Sequence, residues 1–126
     1  MPYNLHIIRP NDFIELDARG KPDLAACRRG LERIAKACID HNITCALLDV
    51  RAMHTDLGAV DFYNLVTSFH AMGFRSDHRL AILHAYNGGD KAEFFAACAD
   101  TRGWNVRAFD SYEEALEWFS ESSPVN

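Results

Sequence analysis

The chain has 126 residues, 48% hydrophobic and 25% charged, the proportions of one ordinary globular domain. Eighteen acids against thirteen bases leave a net charge of −5 with no block of like charge. That excludes the basic footprint nucleic-acid binding needs, and it argues against purely electrostatic docking on an anionic membrane.

"YNLHIIR" and "DFIELDA" are two strand-like runs, and "PND" (Pro10 to Asp12) supplies turn chemistry between them. In the second run Ile14, Leu16 and Ala18 point one way, while Glu15 and Asp17 point the other. An opening antiparallel hairpin is expected. "GKPDLAACRRGLERIAKACIDHN" reads as a helix, with Pro22 suited to its first turn and Asp23 complementing its dipole. Leu24, Cys27, Leu31, Ile34 and Cys38 make its apolar stripe, and "HN" at 41–42 ends it.

"ITCALLDV" (43–50) is nearly all apolar, as in a strand buried on both faces of a parallel sheet. A helix is expected from about Gly58 to Met72, followed by a loop at "GFRSDH". "RLAILHAY" (79–86) is a second buried strand, "NGGD" (87–90) the turn after it, and "KAEFFAACADTR" a helix closed by Gly103. "WNVRAF" is a short last strand. "SYEEALEWF" opens with a capping box in which Ser111 caps and Glu114 reaches back. The order is ββαβαβαβα. Helices between buried strands imply an α/β fold, a mainly parallel mixed sheet with right-handed crossovers and helices on both faces. One domain is expected over 1–120, with a flexible tail at 121–126 and no internal repeat.

The four cysteines, Cys27, Cys38, Cys45 and Cys98, form no CxxC pair, so buried free thiols are expected. At this length folding buries roughly two thirds of the unfolded chain's surface, enough for a core without disulfides or a structural metal. "MPYNLHIIRP" lacks a basic n-region and a long apolar h-region, so no signal peptide is read there. No apolar stretch approaches the length of a transmembrane span. A soluble protein in a reducing cytoplasm is the expectation.

The element order, with a helix springing from "LLDVRAMHTDLG", resembles the anti-sigma-factor-antagonist (STAS) superfamily. It is similar above all to the sporulation-antagonist-like bacterial group described as STAS/SEC14-like. "ALLDVR", "RLAILHA", "FFAACADTRGW" and "VRAFDSYEEALEWF" carry the resemblance, which spans nearly the whole chain. The resemblance implies a STAS-like fold. Its STAS side implies a non-enzymatic protein-interaction or regulatory module. Its SEC14-like side implies lipophilic-ligand binding or peripheral membrane association. In phosphorylation-controlled members an aspartate and then a phosphoacceptor serine precede the second helix. Here "HTDLG" has Thr55 before Asp56 and no serine, so that switch residue is not carried over. Phosphorylation of Thr55 stays open, since it lies near a helix N-terminus that welcomes an anion, but capping of the helix by Thr55 or Asp56 is the favoured role.

In an open parallel sheet, ligands bind beyond the carboxyl ends of the strands. Two loops fit that place. One holds Arg51, His54, Thr55 and Asp56. The other holds His84, Tyr86, Asn87, Gly88, Gly89, Asp90 and Lys91. On neighbouring strands they would form one ligand-binding rim, the double glycine bringing backbone amides near an anion and Lys91 adding charge. A tight strand-to-helix turn is the plainer reading of "NGG". None of the six histidines stands at HxxxH or HxH spacing. An enzyme using a His54/His84 rim is therefore the least favoured of the functions, and no catalytic residue, metal or cofactor is assigned.

"GAVDFYNLVTSFHAMGF" carries more apolar residues than one helix face needs. Three explanations stand open: deep packing, a homodimer contact, or a movable lid over an apolar pocket or membrane surface. As a contact, Val60, Tyr63, Val66 and Phe69 would face outward, with Phe62, Leu65 and Met72 toward the sheet. Periodicity fixes these sectors but not which of them faces in.

Overall fold

Strands Tyr3–Ile8 (β1) and Phe13–Gly20 (β2) pair antiparallel, from Tyr3 opposite Ala18 to Ile8 opposite Phe13. The structure, a computed structural model, describes residues 3–8 and 13–121. The expected "PND" turn and nearly all of the expected tail lie outside the described residues. After β2 come α1 (Leu24–His41), β3 (Cys45–Met53), α2 (Ala59–Thr67), α3 (Phe69–Met72), β4 (Arg79–Leu83), α4 (Asp90–Asp100), β5 (Asn105–Phe109) and α5 (Tyr112–Ser120).

The sheet order is β1-β2-β3-β4-β5, and every pairing after the first is parallel. The antiparallel opening and the parallel pairing of β3 with β4 are as the sequence leads one to expect. Each parallel connection moves one strand along in the same direction. Right-handed crossovers then place α1, α2–α3 and α4 on one face of the sheet. Side chains from all four helices join Ile14, Leu16, Ala46, Leu80 and Ile82 in the main core. On the other face α5 is the one helix among the described residues, with Trp118 and Ala115 over Phe13, Leu47, Ala81 and Leu83. Arg79 and Arg107 lie over the Trp118 ring at 5.8 and 5.1 Å, and Arg79 also donates to the Trp118 carbonyl.

The helix termini differ in detail from expectation. Asp23 is the cap of α1 rather than part of its first turn, its carboxylate accepting from the Ala26 N–H at 2.8 Å. Asn42 ends α1 in the left-handed region, φ 53°, where an asparagine is tolerated. Ser111 does cap α5, accepting from the Glu114 N–H at 3.3 Å, and its hydroxyl donates to Glu113. The single helix expected to Met72 is broken at Ser68. Thr67 and Ser68 both donate side-chain hydrogen bonds to the Asn64 carbonyl at 3.0 Å, competing with the helical ladder. Among the described residues the cysteines are free thiols. Burial pushes the Cys38 thiol up to about 12, which makes it a packing residue rather than a nucleophile.

The sector expectation for α2 and α3 is corrected by burial. Val60 and Tyr63 face outward, 73% and 49% exposed, but Val66 and Phe69 are 1% exposed. Phe69 packs against Phe74, Phe95 and Trp104, with ring centroids 4.6, 5.8 and 5.6 Å away. Phe62, Leu65 and Met72 are buried too, so this segment is wedged into the core on two sides.

Candidate functional site

β3 outlasts its neighbour. β4 stops at Leu83, opposite Asp49, whereas β3 continues to Met53, its last residues held by β2 through Arg19–Ala52 and Gly20–Met53. The chain leaving β4 bends away through 84–89 into α4. The space beside the tail of β3 is filled only in part, and it forms a cavity of about 530 Å³ at the carboxyl ends of the strands. Leu48, Val50 and Ile82 make its floor; Leu31, Leu65 and Phe95 are walls from α1, α2 and α4. Ala18, Cys27, Gly30 and Ala92 also line it, and their small side chains leave the volume open. The surface is mostly carbon, as in sites for small organic ligands of this size.

Eight of the eleven rim residues read from the sequence line this cavity: Arg51, His54, Thr55, Asp56, Asn87, Gly88, Asp90 and Lys91. The other three do not. His84 is 8% exposed, one ring nitrogen 2.8 Å from the Ala85 carbonyl. The Gly89 backbone crosses so close to that ring that a Cβ there would stand 2.5 Å from its Cε1. Tyr86 is 85% exposed and is not part of the lining. The expected His54/His84 rim is therefore not assembled, since His54 lines the cavity and His84 does not. Among the described residues, no group of three or more His, Cys, Asp and Glu side chains is placed to hold a metal ion. The apolar walls had no motif to announce them.

The segment before α2 is tied down at several points. Thr55 Oγ1 accepts from the Leu57 N–H at 3.1 Å, and the Asp61 carboxylate accepts from the Gly58 N–H at 3.1 Å. Gly58 is the N-cap of α2, so neither Thr55 nor Asp56 caps the helix, contrary to expectation. Asp56 instead pairs with Lys21 at 2.8 Å, an exposed ion pair that holds the Asp56 carboxyl below its usual range, with Lys91 adding to the effect. Lys91 Nζ donates to the Thr55 carbonyl across the cavity mouth.

Arg51 is committed elsewhere. Its guanidinium makes two hydrogen bonds to Asp49, at 3.0 and 2.8 Å, and its backbone N–H a third at 3.0 Å. Burial pushes the Asp49 carboxyl up, but these bonds outweigh it and leave the carboxyl below the usual carboxylate range. A carboxyl held low in the folded state stabilises the protein above its unfolded value and ceases to as pH falls through its folded value. Chemical denaturation from about pH 5 to about pH 2 is therefore expected to show a steeper loss of stability in wild type than in Asp49→Asn. Parallel curves would remove this pair from the acid response.

No family model matches this chain, and no curated protein matches it. Solved structures do. One is the crystal structure of an uncharacterised DUF3478-family protein with a SpoIIAA-like fold, from Shewanella loihica PV-4. It matches at a TM-score of 0.56 and 19% identity over 93% of this chain and 91% of that one. Another is the anti-sigma factor antagonist SpoIIAA in its unphosphorylated form, at a TM-score of 0.55 and 13% identity over 92% and 96%.

Proposed function

We propose that this chain, which has the SpoIIAA-like, STAS-type fold, is a non-enzymatic binding module whose cavity takes a small apolar ligand. The fold likeness supports a regulatory or interaction role in general terms. The observation that carries the finer reading is the cavity of about 530 Å³ beside the tail of β3, with hydrocarbon floor and walls and a polar mouth. A ligand entering it would be oriented by the rim at 54–56 and 87–91, while its affinity would come from apolar burial.

The test is a titration with a neutral naphthylamine fluorophore. Saturable one-to-one binding is expected in wild type. Val50→Trp, which puts a large ring on the cavity floor, should weaken it at least about tenfold, equivalent to about 1.4 kcal/mol. Fluorescence that rises without saturation, or equally in both proteins, would remove the reading.

A second reading has one observation in its favour. Val60, Tyr63 and Phe94 are exposed apolar side chains on the outer surface of α2 and α4, Phe94 lying 6.2 Å from Phe62. They suit association with a second copy or another protein better than the buried Val66 and Phe69 do. Among the described residues no helix is long and apolar enough to cross a membrane.

A further inference from the structure

The charges around the cavity mouth are unequally committed. Arg51 is bound through two guanidinium bonds to Asp49. Asp56 is paired with Lys21 at 2.8 Å. Asp90 sits in the first turn of α4, where the helix dipole complements its charge. Lys91 differs. Its hydrogen bond among the described residues is to the neutral Thr55 carbonyl, and it acts on the Asp56 carboxylate only through space, that group being paired with Lys21. Its ammonium stands at the boundary between the apolar lining and solvent.

We propose that the ligand of this cavity is an amphiphile with an anionic head, a carboxylate or phosphate monoester on a hydrocarbon chain, held at the mouth by the Lys91 ammonium. This rests on the reading of the cavity as a ligand site and adds the chemical class of the ligand. The Lys91 bond to the Thr55 carbonyl is charge-assisted on the donor side alone; an anionic oxygen adds its own charge and a direct ionic attraction. The head therefore displaces the Thr55 carbonyl, which lies on a solvent-facing segment and returns to water. The tail lies over Leu48, Val50, Ile82 and Phe95. The orientation follows from desolvation: a charged head driven into the apolar end would lose its water with no partner there, while at the mouth it keeps both water and Lys91. Asp56 and Asp90 work against an anion at the same rim, so the singly charged carboxylate fits better than the phosphate monoester, whose charge approaches about −2 at pH 7.

The experiment is calorimetric titration of decanol, decanoate, decyl phosphate, acetate and inorganic phosphate into wild type, Lys91→Gln and Lys91→Arg. Thermal melts would confirm that all three proteins are folded. Decanoate or decyl phosphate is expected to bind wild type at least about tenfold more tightly than decanol, a difference of about 1.4 kcal/mol. Lys91→Gln should bring the decanoate-to-decanol affinity ratio to about one, and Lys91→Arg should keep it. Acetate and inorganic phosphate alone should not bind. Equal affinity for decanol and decanoate in wild type would overturn the anionic head while leaving the cavity reading intact. A preference that survives in Lys91→Gln would overturn the role of Lys91. Binding of acetate or phosphate alone as tightly as the amphiphiles would make this a free-anion site and overturn the amphiphile. If none of the ten-carbon probes binds, the cavity reading itself fails.

Discussion

Replacing Phe69 and Val66 together with serine unfolds the protein. Both side chains are 1% exposed, and Phe69 has three aromatic rings within 5.8 Å. Truncating a buried phenylalanine costs about 3–5 kcal/mol, and each buried hydroxyl without a partner adds about 1–3 kcal/mol. Together these reach the whole stability of a typical domain, about 5–15 kcal/mol. Circular dichroism of the variant should show no cooperative melt, or one lowered by roughly 10 °C or more. A variant that melts with wild type but loses self-association would return these two residues to a surface contact and contradict the core assignment.

Gly89→Ala destabilises through a single added carbon. Gly89 has an ordinary backbone conformation, so strain in φ is not the cause. The new Cβ would lie 2.5 Å from His84 Cε1 and 2.9 Å from both ring nitrogens. The imidazole cannot swing out freely, because it is buried and held against the Ala85 carbonyl. Overpacking of this kind costs about 1–3 kcal/mol. His84→Ala in the same chain should recover part of that loss, because the two changes share one contact and cannot add independently. The check is chemical denaturation of wild type, both single variants and the double variant. Strict additivity would mean that the His84 ring is not what the new methyl meets.

The main architecture was legible because strand and helix periods are local properties. The alternation of Ile14, Leu16 and Ala18 with Glu15 and Asp17 marks β2, and the unbroken apolar run through Leu47 and Leu48 marks a central strand. The orientation of the segment at 59–72 was not legible. Its apolar residues occupy nearly the whole circumference, and only the tertiary structure shows that Val66 and Phe69 turn inward while Val60 and Tyr63 do not. That the polar residues of the two loops gather at one end of the sheet was legible, since both loops follow parallel strands. His84 was misread because its removal from the rim depends on how closely the Gly89 backbone passes over the ring. The apolar half had no signature, because a cavity is a shortage of volume. Ala18, Cys27, Gly30 and Ala92 look like ordinary small residues until α1, α4 and the sheet bring them around one space.

The most direct test of cavity binding is the thermal shift produced by decanol in wild type and in Val50→Trp. A ligand that binds only the folded state at about 100 times its dissociation constant stabilises it by about 2.7 kcal/mol. The expected result is a rise in the wild-type melting temperature that saturates with decanol concentration, and little or no rise in Val50→Trp. Equal shifts in the two proteins, or no shift in either, would contradict a ligand in the cavity beside the tail of β3.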